Sequence, residues 1–194
     1  MTTVGILALQ GAFIEHEHTL RQLGVNALEV RLPEHLDKID ALIIPGGEST
    51  TIGKLAVTYK LLEPLRAFAR QKPVWGTCAG MIMLAKDIGR DQPLIGVMDI
   101  QVNRNAFGRQ VDSFETDLKV PALGPEPFHA VFIRAPLVTS VKNGVQILSQ
   151  LEDGGIVAVR EGHWLATAFH PELTQDDRFH RYFLTEVAGL PLEK

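Results

Sequence analysis

The chain has 194 residues, 45% hydrophobic and 22% charged, which is the composition of an ordinary globular protein of about one domain. Its formal net charge is −4 and it has no basic run, which argues against nucleic acid as a partner. No apolar stretch reaches the roughly 18 residues of a membrane-spanning helix, and no basic region precedes the first apolar segment, so we expect a cytoplasmic protein without a membrane anchor.

The first half of the chain alternates short apolar runs with segments of helical spacing. The apolar runs predict four buried strands, at 4–9, 27–32, 41–44 and 73–75. The segments between them predict a helix over 12–23, a short helix after Pro33, and a helical region that ends near Gln71 and is broken at Pro64. This alternation predicts an α/β fold of three layers, with a mostly parallel central sheet, flanking helices and right-handed crossovers.

The second half has a different pattern, with few helical segments. Strands are predicted at 94–103, 130–134, 145–151, 156–160 and 164–169. Asp153-Gly154-Gly155 is typical of a hairpin turn, and a last helix is predicted over 176–187. We therefore expect antiparallel strands added to one side of the sheet, all within a single domain, 1–194.

The stretch from Pro73 to Leu84 carries the strongest chemical signal. A buried strand is followed by the pattern Gly76-x-Cys78-x-Gly80 and then by a further apolar run. The serine form of this pattern is a nucleophile elbow, a sharp strand-to-helix turn that lifts one side chain clear of the sheet. Cys78 is the only cysteine, so it has no partner for an intramolecular disulfide, and a helix dipole would favour its attacking thiolate. A buried core cysteine is the alternative interpretation.

Among seven histidines, His170 is the best candidate for the base that a thiolate needs. It follows the predicted strand 164–169, and Pro171 keeps it out of the helical region. Residues two apart in an extended segment point to the same side, so Glu172 is expected to hold the His170 ring and fix its tautomer. A capping turn is the alternative.

A glycine-rich loop, Pro45-Gly46-Gly47-Glu48-Ser49-Thr50, follows the third predicted strand. Open α/β sheets bind ligands at the carboxyl ends of their strands, and exposed N–H groups there can form an oxyanion hole. A phosphate-binding loop is the rival interpretation, although the Walker pattern is absent. Ser49 or Thr50 is also expected to act as the N-cap of the following helix.

Two arginines lie at the ends of predicted strands. Arg104, in the polar stretch after 94–103, and Arg134, the last residue of 130–134, could each hold a carboxylate by a two-pronged contact. Surface salt bridges are the alternative.

The other histidines give no clear functional signal. Glu15-His16-Glu17-His18 would spread around a helix surface without a third placed ligand, so no metal site is predicted. His129, His163 and His180 are expected to be structural or exposed, because none has a partner pattern.

Together these segments resemble the class I glutamine amidotransferase family. Cys78, His170 and Glu172 match its catalytic triad, and the Pro-Gly-Gly loop matches its oxyanion element. Four stretches, 9–12, 45–50, 104–115 and 168–174, are similar to the glutaminase subunits of pyridoxal 5′-phosphate synthases, a branch of that family. The resemblance covers essentially the whole chain, and 104–115 is the stretch that indicates the branch.

The resemblance implies a flavodoxin-like fold and hydrolysis of L-glutamine to L-glutamate and ammonia through a thioester, without a cofactor. The ammonia would pass to a (β/α)₈-barrel synthase subunit in a large hetero-oligomer. Cys78 would be the nucleophile, His170 the acid and base, and Glu172 the residue that orients His170. Backbone N–H groups of Gly47 and Ala79 would hold the oxyanion. The residues carried over as glutamine contacts are Gly46, Gly47, Glu48, Ser49, Arg104, Ile133 and Arg134, while Gln10 would face the same cleft or the partner.

Three alternatives stay open on the sequence alone. Another amidotransferase subunit, feeding ammonia into histidine or aminobenzoate synthesis, would share the triad but lack the 104–115 stretch. A flavodoxin-like cysteine hydrolase or stress protein would share the elbow without needing Glu172. A non-catalytic binding subunit would keep the fold and be indifferent to replacement of Cys78.

Overall fold

A computed structural model describes residues 2–107, 113–142 and 144–192. The strands in these ranges are β1 (Thr3–Leu7), β2 (Asn26–Val30), β3 (Ala41–Ile44), β4 (Val74–Thr77), β5 (Ala85–Asp87), β6 (Met98–Asn103), β7 (Ser113–Leu118), β8 (Phe128–Ile133), β9 (Leu137–Val141), β10 (Gln146–Gln150), β11 (Ile156–Glu161) and β12 (Trp164–Thr167). The α-helices are α1 (Phe13–Gln22), α2 (Ser49–Thr58), α3 (Leu62–Gln71), α4 (Ala79–Leu84) and α5 (Arg178–Tyr182), the last continued by a π-helical turn, Phe183–Val187. Short 3₁₀-helices occupy Pro33–Lys38, Pro121–Leu123 and Pro171–Leu173.

Ten of the strands form one sheet, in the order β2-β1-β3-β4-β12-β11-β9-β6-β5, with β10 paired to β11. Strands β2, β1, β3, β4 and β12 run parallel to one another. Beyond them, β11 is antiparallel to β12, β9 and β10, and β6 is antiparallel to β9. The predicted α/β fold, with a mostly parallel sheet, flanking helices and added antiparallel strands, is confirmed.

The inner parallel strands β1, β3, β4 and β12 are buried along almost their whole length, whereas the edge strand β2 is partly exposed. Every residue of β3 and β4 is buried, and Trp75 of β4 is fully enclosed. Its indole ring packs against the rings of Phe179 and Phe183 in the C-terminal helical segment. Because β3 and β12 are the parallel neighbours of β4, the carboxyl ends of these three strands lie side by side above the core around Trp75.

The structure differs from the sequence predictions in three places. Strand β12 was expected among the antiparallel strands but pairs parallel to β4. Strands β5, β7 and β9 were not predicted, and β7 with β8 forms a separate antiparallel pair. The helical region before Gln71 breaks at Lys60, where φ is +56°, and Pro64 lies in the first turn of α3, where proline is tolerated.

The remaining predicted elements are present, although the strand predicted over 94–103 begins only at Met98. Hydrogen bonds between Leu151 and the turn residues Gly154 and Gly155 close the predicted hairpin of β10 and β11. The 3₁₀-helix after Leu32 and the C-terminal helical segment also match. In the part of the chain described, no helix has both the length and the hydropathy to cross a membrane.

Candidate active site

Cys78 lies at a sharp turn between β4 and α4, as the nucleophile-elbow pattern predicts. Its backbone has φ +50° and ψ −105°, a conformation that costs free energy in a residue with a side chain. The two glycines allow the turn because a Cβ at Gly76 would collide with the backbone of Gly80, and a Cβ at Gly80 would collide with the carbonyl oxygen of Ile44. The spacing of the pattern is therefore a steric requirement of the turn.

The Cys78 backbone is anchored by its N–H, which donates to the carbonyl of Thr167 on the neighbouring β12, at 2.8 Å. Its Sγ lies 3.8 Å from the carbonyl oxygen of Ile133, at the end of β8. The side chain thus points toward the loops above the sheet.

His170 and Glu172 follow β12 and come next to the elbow because β12 is the parallel neighbour of β4. The His170 N–H donates to the carbonyl of Val131 at 2.9 Å, which fixes the backbone. Nδ1 of His170 lies 2.6 Å from Oε1 of Glu172. An ionised carboxylate only accepts hydrogen bonds, so Nδ1 carries the proton and Nε2 is left for other partners.

The pKa of the His170 imidazole is strongly shifted by its neighbours. Burial lowers the pKa of the imidazole, but hydrogen bonds and charge interactions with Cys78 and Glu172 outweigh burial and raise that pKa to about 10. His170 is therefore protonated at neutral pH, between the sulfur of Cys78 and the carboxylate of Glu172. A protonated imidazole beside a nucleophile can protonate a leaving amine.

Cys78 and His170 line one cleft of about 350 Å³, which is the size of a small-molecule site. We call it the active-site cleft. It contains every residue predicted from the sequence to touch substrate or oxyanion, namely Gln10, Gly46, Gly47, Glu48, Ser49, Ala79, Arg104, Ile133 and Arg134. Glu172 is not in its lining and lies behind His170. Because Cys78 faces the cleft, the interpretation of it as an inert core cysteine is not supported.

The glycine loop after β3 is held against the start of α1. The carbonyl of Gly46 accepts a hydrogen bond from the N–H of Ala12 at 2.9 Å, so the N–H of Gly47, on the opposite side of the same trans peptide, points away from α1. A Cβ at Gly46 would collide with the ring of His170, and one at Gly11 (φ +110°) with the Gly46 carbonyl. These close approaches require glycine at both positions.

The Glu48 side chain, and not Ser49 or Thr50, caps α2. Its Oε2 accepts from the N–H of Thr51 at 2.8 Å, while Ser49 is the first residue of the helix. The two expected caps, Ser49 and Thr50, were therefore one and two residues too late, because the Glu48 side chain is long enough to reach the N–H of Thr51. Burial opposes ionisation of Glu48, but the hydrogen bonds from Thr51 and the charge of Arg104 lower its pKa overall.

Arg104 reaches the rim of the active-site cleft from the end of β6. Its Nη2 donates to Oε1 of Glu48 at 3.0 Å, and its Nε is buried without an acceptor among the described residues. The guanidinium of a cleft-lining arginine can donate to a ligand carboxylate. Arg134 lies across the cleft, after β8, with φ +42°. Residues 108–112 of the predicted 104–115 stretch lie outside the described residues.

Some cleft residues were not predicted from the sequence. Gly11, Ala12, Ile82 and Asn105 also line it. Gln10 faces the cleft and accepts the N–H of Glu48 on its Oε1, at 2.7 Å. The only sequence signal for the part of the cleft around Gln10, Gly11 and Ala12 was the Gln-Gly-Ala stretch after β1. Within the described ranges, no cluster of three or more His, Cys, Asp or Glu side chains could hold a metal ion.

Comparison with known proteins decides the family. The profile of the SNO glutamine amidotransferase family matches residues 6–189. The chain belongs to the SNO glutamine amidotransferase family.

Within this family, the chain is similar to proteins named Pyridoxal 5'-phosphate synthase subunit PdxT. The one from Herpetosiphon aurantiacus is 64% identical over 187 residues, which cover 94% of this chain and 98% of the relative. The one from Carboxydothermus hydrogenoformans is 59% identical over 186 residues, covering 95% and 97%. The resemblance seen in the sequence, including its branch of the family, is confirmed.

Solved structures agree with the fold of an SNO glutamine amidotransferase. One described as a glutamine amidotransferase superposes with a TM-score of 0.90 at 52% identity, covering 96% of this chain and 99% of its own. A glutamine amidotransferase from Thermotoga maritima, at 14% identity, has a TM-score of 0.64 over 97% of this chain and 84% of its own, and supports the fold alone.

Proposed function

We propose that this protein hydrolyses L-glutamine to L-glutamate and ammonia, as the glutaminase subunit of a pyridoxal 5′-phosphate synthase. One observation carries the proposal. In a chain 64% identical to a protein of that name, a lone cysteine at a nucleophile elbow shares a cleft with a histidine whose Nδ1 is held by a carboxylate.

Acylation begins when the Cys78 thiolate attacks the side-chain amide carbon of glutamine and forms a C–S bond. Negative charge develops on the amide oxygen, which the N–H groups of Gly47 and Ala79 stabilise. Ala79 opens α4, so its N–H has no acceptor within the helix. The imidazolium of His170 gives its proton to the nitrogen, the C–N bond breaks, and ammonia leaves a γ-glutamyl thioester.

Deacylation uses the same residues in reverse roles. His170, now neutral, takes a proton from water, whose oxygen attacks the thioester carbon. The tetrahedral intermediate collapses with loss of the thiolate, releasing glutamate and restoring the starting ion pair. Glu172 keeps the proton of His170 on Nδ1 whenever the ring is neutral, so that Nε2 faces the reacting atoms.

The cleft walls suit the amino-acid end of glutamine. We propose that Arg104 and Arg134 bind its α-carboxylate, with Glu48 and Ser49 near the α-ammonium and the backbone of Gly46 and Ile133 along the chain. The buried Nε of Arg104, which has no partner in the described part of the chain, supports this arrangement. The carboxyl of Glu48, kept ionised by Thr51, supplies a negative charge beside Arg104. Gln10 holds the Glu48 backbone in place.

The proposed partner is a (β/α)₈-barrel synthase subunit that consumes the ammonia within a large hetero-oligomer, in the cytoplasm. The single domain 1–194 would dock on it as a unit. We propose that docking selects the orientation of the Gly46–Gly47 peptide in which the N–H faces the oxyanion, because glycine pairs rotate at low cost. In the free chain that peptide is tied to Ala12 by a hydrogen bond.

The test is a glutaminase assay with and without the synthase subunit. We expect glutamate release to rise on adding the synthase, and cofactor to form from glutamine at a matching rate. An ammonium salt should replace this chain in cofactor formation, which serves as the control for synthase activity. Equal glutamate release with and without the synthase would contradict activation by docking, and no glutamate release under either condition would contradict the function.

A further inference from the structure

Three buried polar side chains lie behind Glu172, on the side away from the active-site cleft. Nε2 of His16, on α1, is 3.4 Å from Oε2 of Glu172 and 3.3 Å from the hydroxyl of Thr77. Nδ1 of His16 is 2.9 Å from Nε2 of His180, on α5. His16 and Thr77 are fully buried and His180 is 1% exposed, so water does not reach this row.

The charge of the Glu172 carboxylate decides which ring nitrogen of His16, and then of His180, carries the proton. Ionised Glu172 can only accept, so favourable contact requires the proton of His16 on Nε2. Nδ1 of His16 is then an acceptor, and His180 must donate to it from its own Nε2. This leaves Nδ1 of His180 as a bare lone pair, and that atom indeed has no partner among the described residues. The opposite tautomers would aim two lone pairs at each other and bury an unpaired N–H of His180, which is the costlier choice.

Both rings in the row are held neutral. Burial lowers the pKa of His16 well below its ordinary value, and repulsion from a protonated His180 or His170 would lower it further. Burial lowers the pKa of His180 to about 3, against a small opposing effect of Asp177. The rings also contact the indole of Trp75, with centroids 5.6 and 4.9 Å away. A neutral His16 polarises Glu172 without cancelling its charge, and that charge remains available to His170.

We propose that His16, oriented by His180, is a positioning residue that holds the Glu172 carboxylate through Oε2, so that Oε1 stays aligned with the His170 ring. This inference rests on the proposed glutaminase function. Oε2 of Glu172 has no partner in strict hydrogen-bond geometry among the described residues, and the His16 N–H is the donor placed to serve it. Thr77 shares that N–H and directly precedes Cys78, so the same contact ties the carboxylate to the elbow.

The experiment compares three variants in complex with the synthase. His16→Leu removes the donor, whereas His16→Gln offers an amide N–H to Glu172 and an oxygen to His180. Leu20→Ala, on the same helix and fully buried, is the matched control for loss of packing. Glutamate release gives kcat and KM, and thermal unfolding of each variant fixes the assay temperature below its transition.

We expect His16→Leu to lower kcat by about tenfold to a hundredfold with KM for glutamine nearly unchanged, because a misplacement of about 1 Å can cost a hundredfold. His16→Gln should recover most of that loss, and Leu20→Ala should lower the unfolding temperature while keeping kcat. A His16→Leu variant that retains kcat would overturn the proposal, as would equal losses in the Leu and Gln variants. A wild-type complex without glutaminase activity would instead refute the proposed function.

A second measurement determines the protonation state and tautomer of His16 and His180 directly and does not depend on activity. Nitrogen NMR of ¹⁵N-histidine protein should show His16 and His180 as neutral rings protonated on Nε2, unchanged between pH 5 and 8. The Glu172→Gln variant should relax this choice for His16. Protonation of either ring on Nδ1 in the wild type, or titration of His16 in that range, would overturn the proposal.

Discussion

Replacing Cys78 with Ala is expected to abolish glutamine hydrolysis, with a loss of roughly 10⁴-fold or more in kcat, as in triads whose nucleophile is removed. Alanine deletes only the sulfur, and it keeps the Cβ that already occupies the strained φ of +50°. The unfolding temperature should therefore hardly change. The measurement is glutamate release by the complex with the synthase, together with a thermal melt.

The same variant separates an enzyme from a non-catalytic binding subunit. A Cys78→Ala complex should still assemble with the synthase and should still make cofactor when supplied with an ammonium salt. Retention of glutamate release by this variant would show that the sulfur is not the nucleophile, and the site would have to be sought elsewhere.

Glu172→Gln is expected to lower kcat by about 10³- to 10⁴-fold at neutral pH, as replacement of the carboxylate in a serine-protease triad does. Glutamine has the same shape but no charge, and its N–H₂ favours the wrong tautomer of His170. The pH profile should also change. Glu172 helps to raise the pKa of His170 to about 10, so its loss lowers that pKa and the imidazolium disappears at a lower pH. The alkaline limb of kcat/KM should therefore move toward lower pH.

Glu152→Gln, on the exposed hairpin between β10 and β11, is the matched control and should leave the rate and the profile unchanged. If Glu172→Gln kept both the wild-type rate and the wild-type alkaline limb, the orienting role assigned to Glu172 would be wrong.

The sequence predicted those parts of the site whose residues lie close together along the chain. Gly76-x-Cys78-x-Gly80 places within five consecutive residues the two glycines that the turn requires. His170-Pro171-Glu172 places the ring and the carboxylate on one side of a short segment. The proximity of Cys78 and His170 was inferred from the family resemblance, because no short sequence pattern indicates that β12 runs parallel to β4. That pairing brings the carboxyl ends of the two strands together, and it was not predicted, because the strand at 164–169 was expected among the antiparallel strands.

The features that were not predicted have either a weak hydrophobic pattern or contacts between residues far apart in the sequence. Strand β7 alternates exposed polar with half-buried residues, and only its last residue, Leu118, is fully buried, so its hydrophobic pattern is faint. It becomes a strand because Phe114 stacks on Phe132 of β8, with ring centroids 4.5 Å apart. His16 and His180 are 164 positions apart, and neither has a neighbour that indicates the contact.

The most direct test of the central claim, that Cys78 attacks glutamine beside His170, is covalent labelling with a chloroketone analogue of glutamine. Because the chain has a single cysteine, intact-protein mass spectrometry should show one adduct, and peptide mapping should place it on Cys78. Glutaminase activity should fall in proportion to labelling, and glutamine should slow both. Complete inactivation without an adduct on Cys78, or complete labelling of Cys78 with activity retained, would contradict the account.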